Sequence, residues 1–402
     1  MKKNYDITIV GSGLTGLSTS LALSSLGYRI ALIDPKPLTF DKKIYPDNRT
    51  TAISSGSVSF YKKIGVWNSF KKYVCPIKKI LVEELSSKLN TSFTAGTDKE
   101  KVMGYMIENK NFLQALLGLA KNNKNIFKYD NKFLKFNRQK NFVLATLDSN
   151  IIIESKLIIG ADGRNSYLRK LANIEYKFKD YKQKAFTFNI EHEKLHKNLA
   201  IEKFLEEGPL AILPINRKNN KNYSSVVWSC NFPDYYQYND KRGEKKIELL
   251  IQNYFEKIYG KIKVCSKIKT WNLSLTHSKK YIDERILLLG DSAHSIHPLA
   301  GQGFNLTVRG IQKIYNFARI EINNSKDIGK KEYLFNYSNK HYLDASLLIM
   351  VTDKLNLFFS NSNFLFRSLR RRGLTFFSRS KLARNIFRNY ATKGSLLSIK
   401  ND

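Results

Sequence analysis

Hydrophobic positions along this chain follow two rhythms. Short, nearly unbroken apolar runs end on glycine or aspartate: Tyr5 to Val10, ALID closing on Asp34, KLIIG closing on Gly160, and LLLGD closing on Asp291. Such runs predict short strands, each entering a turn and then a helix, as βα units require. Around residues 76–101 and 181–284 the rhythm becomes strand-like alternation, as in KAFTFNIEHE and KNYSSVVWSC. That pattern predicts a mixed sheet with two different faces. From about Ala345 the remainder reads as helix.

The turns that close the apolar runs carry the chemistry. GSGLTG follows the first run, a helical stretch reaches Leu26, and the next strand ends on Asp34. Gly11 permits the tight turn, Gly13 lets backbone approach a pyrophosphate, Gly16 lets helix pack closely on strand, and Asp34 can bind the adenosine ribose hydroxyls. The glycines alone are weak evidence; strand, glycines, helix, strand and acid in this order form a dinucleotide fingerprint. The same glycines interrupt the apolar stretch after MKK, which excludes a secretory signal. KLIIGADGRNSYLRK presents Asp162, Gly163 and Arg164 before a helix, and by itself is a turn with a helix N-cap. In LLLGDSAHSIHPLAGQGFNLTVR, Asp291 can accept hydrogen bonds from a polyol. Gly301 and Gly303 let backbone come close to a flat ligand, and helix-opening N–H groups there can stabilise negative charge on a reduced ring. GD in isolation is equally well a turn.

The order GxGxxG, DG, GD resembles that of the single-component flavin monooxygenases, and HPLAGQGFNL, from His297 to Leu306, resembles the signature of the UbiH-type hydroxylases of ubiquinone biosynthesis. The likeness covers nearly the whole chain. It includes RTTAIS from Arg49, YMIENKNFLQALL from Tyr105, GPLAILPI from Gly208, SSVVWS from Ser224, TDKLNLFFSN from Thr352 and LRRRGL from Leu369. Two departures follow the signature: Thr307 and Gly310 stand where the family more usually has Gly and Asp, which predicts altered helix packing. Asp34 stands where many members carry Glu.

The resemblance implies an α/β protein with a discontinuous Rossmann-like FAD-binding domain (residues 1–75, 102–180 and 285–344), a mixed β-sheet substrate domain (76–101 and 181–284) and a C-terminal helical basic segment (345–402). It implies noncovalent FAD held by Gly11, Gly13, Gly16, Asp34, Arg49, Asp162, Asp291, Gly301, Gln302, Gly303 and Asn305, with residues 298–303 as the wall beside the isoalloxazine. NAD(P)H would bind transiently in a surface groove, because only one complete dinucleotide fingerprint is present. Reduced flavin would react with dioxygen to give a flavin hydroperoxide, which hydroxylates a polyprenylated phenol or benzoquinol. Pro298 and His297 are the catalytic candidates; His297 either transfers a proton or shapes the turn, and His294 reads as a buried, hydrogen-bonded residue. A related hydroxylase of a soluble aromatic compound, and a catalytically weak flavoprotein serving as an assembly subunit, are the competing readings.

Composition adjusts this picture in three ways. The chain's 402 residues exceed one ordinary domain, and its 25 Phe and 22 Tyr are ample for a large core and an apolar pocket. Three cysteines, Cys75, Cys230 and Cys265, lack metal spacing and read as free thiols of a reducing cytosol. HEKLH at His192 lacks the HExxH order, so no metal is expected. A net charge of +34 draws the surface toward anions, but no fold motif supports nucleic acid as a partner. Between Asn363 and Asp402 ten basic residues face one acidic residue, interleaved with aromatics such as Phe376 and Phe377. That segment either docks on an anionic membrane surface or packs its aromatics on the body. The first alternative places the protein in the cytoplasm, peripheral on the inner face of the membrane, near other ubiquinone-biosynthesis proteins.

Overall fold

The computed structural model describes residues 2–44, 47, 49–84, 90–94, 102–216, 221–231, 238, 240–298, 301–323, 327–360 and 380. The basic segment from Asn363 therefore lies outside the described residues, apart from Ser380. No helix among them is long and apolar enough to cross a membrane.

The apolar runs form one sheet, in the order Ile282–Asp283, Ile286–Leu288, Leu157–Gly160, Ile7–Val10, Ile30–Ile33, Ile126–Tyr129. From Ile286–Leu288 onward every pairing is parallel. All four residues of ITIV, IALI and LIIG are buried, as expected for strands covered on both faces. Ile30 and Leu32 pack with Leu17, Leu21 and Phe112 on the helical side. Ala31 and Ile33 pack with Val143, Ala145 and Ile153, which belong to a second, four-stranded sheet on the other side.

The alternating segments build a broad sheet of nine strands: His294–Ser295, Lys269–Ser278, Tyr176–His192, Asn222–Asn231, Pro209–Ile215, Leu199–Phe204, Lys79–Glu84 and Asn90–Thr94 in order, with Ile262–Val264 also paired to Tyr176–His192. The helix Lys241–Tyr259 covers one face. Its Ile247, Ile251, Phe255 and Tyr259 recur every four residues and so form one stripe, fully buried against Phe186, Phe188, Val226 and Trp228. Burial of each such side chain contributes about 1.5–3 kcal/mol. Asp240 caps the helix by accepting from the Gly243 N–H at 2.6 Å. The opposite face of the broad sheet turns toward the parallel-sheet half, where Thr50 Oγ1 donates to Ser225 Oγ at 3.1 Å. Ile77, Met106, Ala200 and Ile215 share a core there.

Two elements run across the expected divisions. The strand Tyr176–His192 begins ahead of residue 181. The final described helix is Lys331–Ser360, so the division expected at Ala345 falls inside it. Ala345 and Leu348 of that helix enter the same core as the parallel strands Ile30–Ile33 and Leu157–Gly160, and tertiary burial continues the helix across the division.

Arg285 joins segments distant in sequence. It is fully buried and donates to the carbonyls of Gln139, Lys140 and Lys156 and to both oxygens of Asp327, at 2.7 and 3.2 Å. A side chain on Gly329 would stand 1.9 Å from the Lys156 carbonyl oxygen, so the Asp327 loop approaches only because residue 329 is glycine. Buried histidines hold the other end of the same region. His294 Nε2 lies 3.1 Å from His341 Nε2, and His341 occupies the space a side chain on Gly310 would need, 2.5 Å from its missing Cβ. His277 stacks on Tyr342. Burial pushes His277 down to about 4 and His294 to about 3.

Arg285→Ala is expected to cost about 3–5 kcal/mol, because it orphans three carbonyls and the Asp327 carboxylate. Denaturant melting checks this. The depressed histidine values set a second expectation. The unfolded chain binds protons near 6.5 that the folded chain refuses until about 4 or below, so stability present above 6.5 is lost as pH falls through that window. Denaturation midpoints measured from pH 7 to pH 4.5 should fall, and His277→Gln should flatten the slope.

Candidate functional site

Three turns meet at the carboxyl ends of the parallel strands, and the absence of side chains lets them do so. Gly11 has φ +104°, and a Cβ there would lie 2.4 Å from the Ala161 carbonyl oxygen. A Cβ on Gly16 would lie 1.8 Å from the Gly11 oxygen, and one on Gly290, at φ +63°, 2.7 Å from Thr15 Oγ1. The GxGxxG, DG and GD turns are thus in mutual van der Waals contact. Polar ties fix the arrangement: Ser292 Oγ donates to the Gly160 carbonyl at 2.6 Å. Arg169 donates to the carbonyls of Ser292 and Arg164, at 2.9 and 2.8 Å.

The notch between these turns fits a dinucleotide. Gly13 opens the helix Leu14–Ser24 without a side-chain cap, and nothing lies within 4 Å of where its Cβ would be. The first N–H groups of that helix are therefore open to an anion. Asp34 accepts from the Ser12 N–H at 2.7 Å and from the Lys36 N–H at 2.9 Å, which ties the glycine turn to the end of the next strand. Asp162 caps the following helix through Oδ2, accepting from the N–H groups of Tyr167 and Leu168. Its Oδ1 and Ser12 Oγ are buried without a hydrogen-bond partner, as atoms left for a bound group would be. These residues could hold a pyrophosphate and the sugars flanking it.

Asp291 forms the floor of the same cleft. It is solvent-exposed, yet desolvation among surrounding protein raises its carboxyl above the usual value, against the pull of Arg164 and Arg49. The two observations agree for a carboxylate at the bottom of an open cleft. Arg49 is held by Asp47, with Nη2 to Oδ2 at 2.8 Å, and stacks over Trp271 at 4.4 Å. Asn109 supports Asp47 in turn at 3.0 Å. Arg164 donates to the Asn272 carbonyl and to Ser274 Oγ. Both cations that face Asp291 are thereby anchored on the strand Lys269–Ser278 of the broad sheet, and the cleft runs between the two halves.

The signature segment forms one edge of that cleft. Gly301 is exposed, has φ +61°, and donates its N–H to the Pro298 carbonyl at 3.0 Å; Gln302 and Gly303 are half-buried and open the helix Gly303–Asn323. Residues 299 and 300 of the expected wall lie outside the described residues. Asn305 spends its side chain within the protein. Its Oδ1 accepts from Ser54 N–H and Ser57 Oγ, and its Nδ2 donates to the carbonyls of Ala52 and Gly301. With its side-chain amide saturated, Asn305 positions the Gly301 turn on the strand Thr50–Ser54, and what it keeps for a cofactor is its backbone N–H in the first turn of the helix. His297 is buried 3.0 Å from Gln183 Oε1 with its ring edge-on to Tyr181, and burial pushes it down to about 4. It is neutral at neutral pH and fastens the signature to the strand Tyr176–His192. His192 is bound by the Lys194 carbonyl and Ser224, away from the cleft.

Sequence reading passed over Asp47, Ser292, Arg169 and Trp271. Asp47 carried a usable signal in its spacing to Arg49. The others sit in ordinary strand, turn and helix contexts and acquire their roles only across the fold.

Comparison with known proteins agrees with this geometry. Residues 4–348 match the family model described as FAD binding domain. The chain is 29% identical over 393 residues, 97% of this chain and 90% of the other, to the ubiquinone hydroxylase UbiL of Rhodospirillum rubrum. It is 30% identical over 314 residues, 77% of this chain and 78% of the other, to 3-demethoxyubiquinol 3-hydroxylase of Escherichia coli. Its fold is similar to that of p-nitrophenol 4-monooxygenase PnpA from Pseudomonas putida, with a TM-score of 0.78 at 13% identity, covering 98% of this chain and 99% of that one. Three touching glycine turns, two arginines facing a cleft carboxylate and a match over residues 4–348 have one common explanation: the chain belongs to the FAD-binding monooxygenase family of aromatic hydroxylases.

Proposed function

We propose that this protein hydroxylates the aromatic ring of a polyprenylated phenol or benzoquinol in ubiquinone biosynthesis, with NAD(P)H as transient electron donor and dioxygen as oxidant. The observation that carries the reading is the cleft between the GD turn and the inner face of the broad sheet, taken with relatives whose names specify ubiquinone or demethoxyubiquinol hydroxylation. In this reading residues 1–75, 102–180 and 285–344 serve the cofactor and 76–101 and 181–284 the substrate. The last described helix leads toward the basic segment, which docks the protein peripherally on anionic lipid and brings it to a bilayer-borne substrate.

When bound, FAD supplies the redox centre at which dioxygen is reduced and one oxygen atom becomes electrophilic. The chain's own residues do the rest. Helix N–H groups beyond Gly13 would hold the pyrophosphate, Asp34 the ribose, and Asp291 the polyol, with Arg49 and Arg164 favouring the charged form of Asp291 against its desolvation. Asn305 and His297 act at one remove, holding Gly301 and Pro298 where they would line the site of a bound ring. Sheet and signature together exclude water, which protects the activated oxygen and orients the aromatic carbon.

Asp291→Ala is expected to weaken FAD by about tenfold to a hundredfold, since loss of a charge-assisted hydrogen bond costs about 1.5–3 kcal/mol. Fluorescence titration of apoprotein checks this, and unchanged affinity would move the polyol elsewhere. For the substrate, prenylated phenols should accelerate NAD(P)H oxidation and take up one atom of isotopic dioxygen, with soluble hydroxybenzoates poor by comparison. Each buried prenyl methylene contributes roughly 0.8 kcal/mol to that preference. Efficient hydroxybenzoate turnover would favour a soluble-substrate hydroxylase. Substrate-independent, label-free oxidation would favour an assembly subunit.

A further inference from the structure

Strand alternation in the broad sheet sorts its side chains cleanly. In Leu199–Phe204, Ile201 and Lys203 point to the covering helix: Ile201 lies in that core, and Lys203 sits over the Phe255 ring and pairs with Glu83. Ala200 points the other way, into the core shared with Ile77 and Met106 of the parallel-sheet half. Glu202 therefore points with Ala200, toward the cleft.

Its row across the sheet is defined by register. Glu202 pairs with Ala211, Ala211 with Val227, and Val227 with Thr187. Thr187 Oγ1 accepts from the indole N–H of Trp271, on which Arg49 stacks. One continuous floor of small side chains thus runs from the Arg49 and Asp291 end of the cleft to Glu202. Three strand spacings separate Glu202 from Thr187, roughly 14 Å. Val227, Leu213 and Glu202 remain partly exposed although this face is turned toward the other half of the protein, while Ala211 and Thr187 of the same row are buried. A carboxylate with no described hydrogen-bond or ion-pair partner stands at its end.

We propose that Glu202 is the catalytic residue that accepts the hydroxyl proton of the phenolic substrate. The inference rests on the proposed hydroxylase function. The phenol O–H bond breaks with its electron pair left on oxygen, the proton forms an O–H bond with the Glu202 carboxylate, and no redox change occurs. The phenolate so formed directs electron density to the ring carbons that meet an electrophilic oxygen. Glu202 suits the task because burial raises its carboxyl to about 7. Among the described side chains those beside it in the sheet are apolar: Ala211 and Val82 flank it, and Val227 and Leu213 lie beyond; the cation on its own strand, Lys203, is on the opposite face, and the acidic residue that register places on the same face of the neighbouring strand is Glu84.

The test uses FAD-loaded, full-length protein and two arms. In the first, 4-propylphenol and its methyl ether are titrated into oxidised enzyme without reductant. Wild type should bind the phenol about tenfold more tightly at pH 8 than at pH 6 and the ether equally at both. Glu202→Gln, with FAD content and melting unchanged, should lose the pH dependence. In the second arm, prenylated phenol turnover should show a kcat ionisation near 7 in wild type, and Glu202→Gln should lower kcat by roughly a hundredfold or more with little change in KM. Glu202→Asp should restore part of the rate and the ionisation. Equal treatment of phenol and ether by wild type, or an unchanged kcat profile in Glu202→Gln, would overturn the assignment. Phenol-selective, Glu202-dependent binding without any hydroxylation would uphold Glu202 as the phenol acceptor and instead overturn the hydroxylase reading.

Discussion

The architecture depends on backbone approaching backbone at the carboxyl ends of the parallel strands. A Cβ on Gly11 would overlap the Ala161 oxygen, and one on Gly16 the Gly11 oxygen. Any side chain at either position would push the first helix off its strand or separate the GxGxxG turn from the DG turn. Gly290 imposes the same condition on the GD turn through Thr15. Because the turns touch, their remaining donors and acceptors converge on one notch, and two buried oxygens there, Ser12 Oγ and Asp162 Oδ1, are left over.

Electrostatics links that notch to the second half. Asp291 would be costly to keep ionised among protein atoms, and Arg49 and Arg164 offset part of the cost. Both arginines are also fastened to the strand Lys269–Ser278. The same side chains therefore favour the charged form of the cofactor-side carboxylate and tie the two halves together, so a change at either arginine should alter cofactor affinity and cleft width together.

Histidine and asparagine side chains near the site are mostly structural. His297, His294 and Asn305 have their partners within the protein, and burial keeps the two histidines neutral. The departure after the signature has a physical counterpart: where Gly310 lacks a side chain, His341 of the last described helix fills the space and reaches His294. Arg309 and Lys313 on one helix share Asp344 on the other, which holds the pair together beside that contact.

Local sequence determined the strands, the glycine turns and the cofactor class, because each follows from short-range rules. Apolar runs must be buried, a φ near +100° at Gly11 needs glycine, and an acid at a strand end is available to a ribose. The alternating segments likewise announced a sheet with two faces. Tertiary structure alone decided which face Glu202 joins, that Asn305 is saturated, that His297 turns into the broad sheet, and that a helix crosses residue 345. Those outcomes depend on cross-strand register and on partners such as Gln183, Ser57 and Trp271, more than a hundred residues away in the chain in the case of His297 and Asn305. A polar side chain's role is set by what fills its hydrogen bonds, and that is a property of the assembled fold.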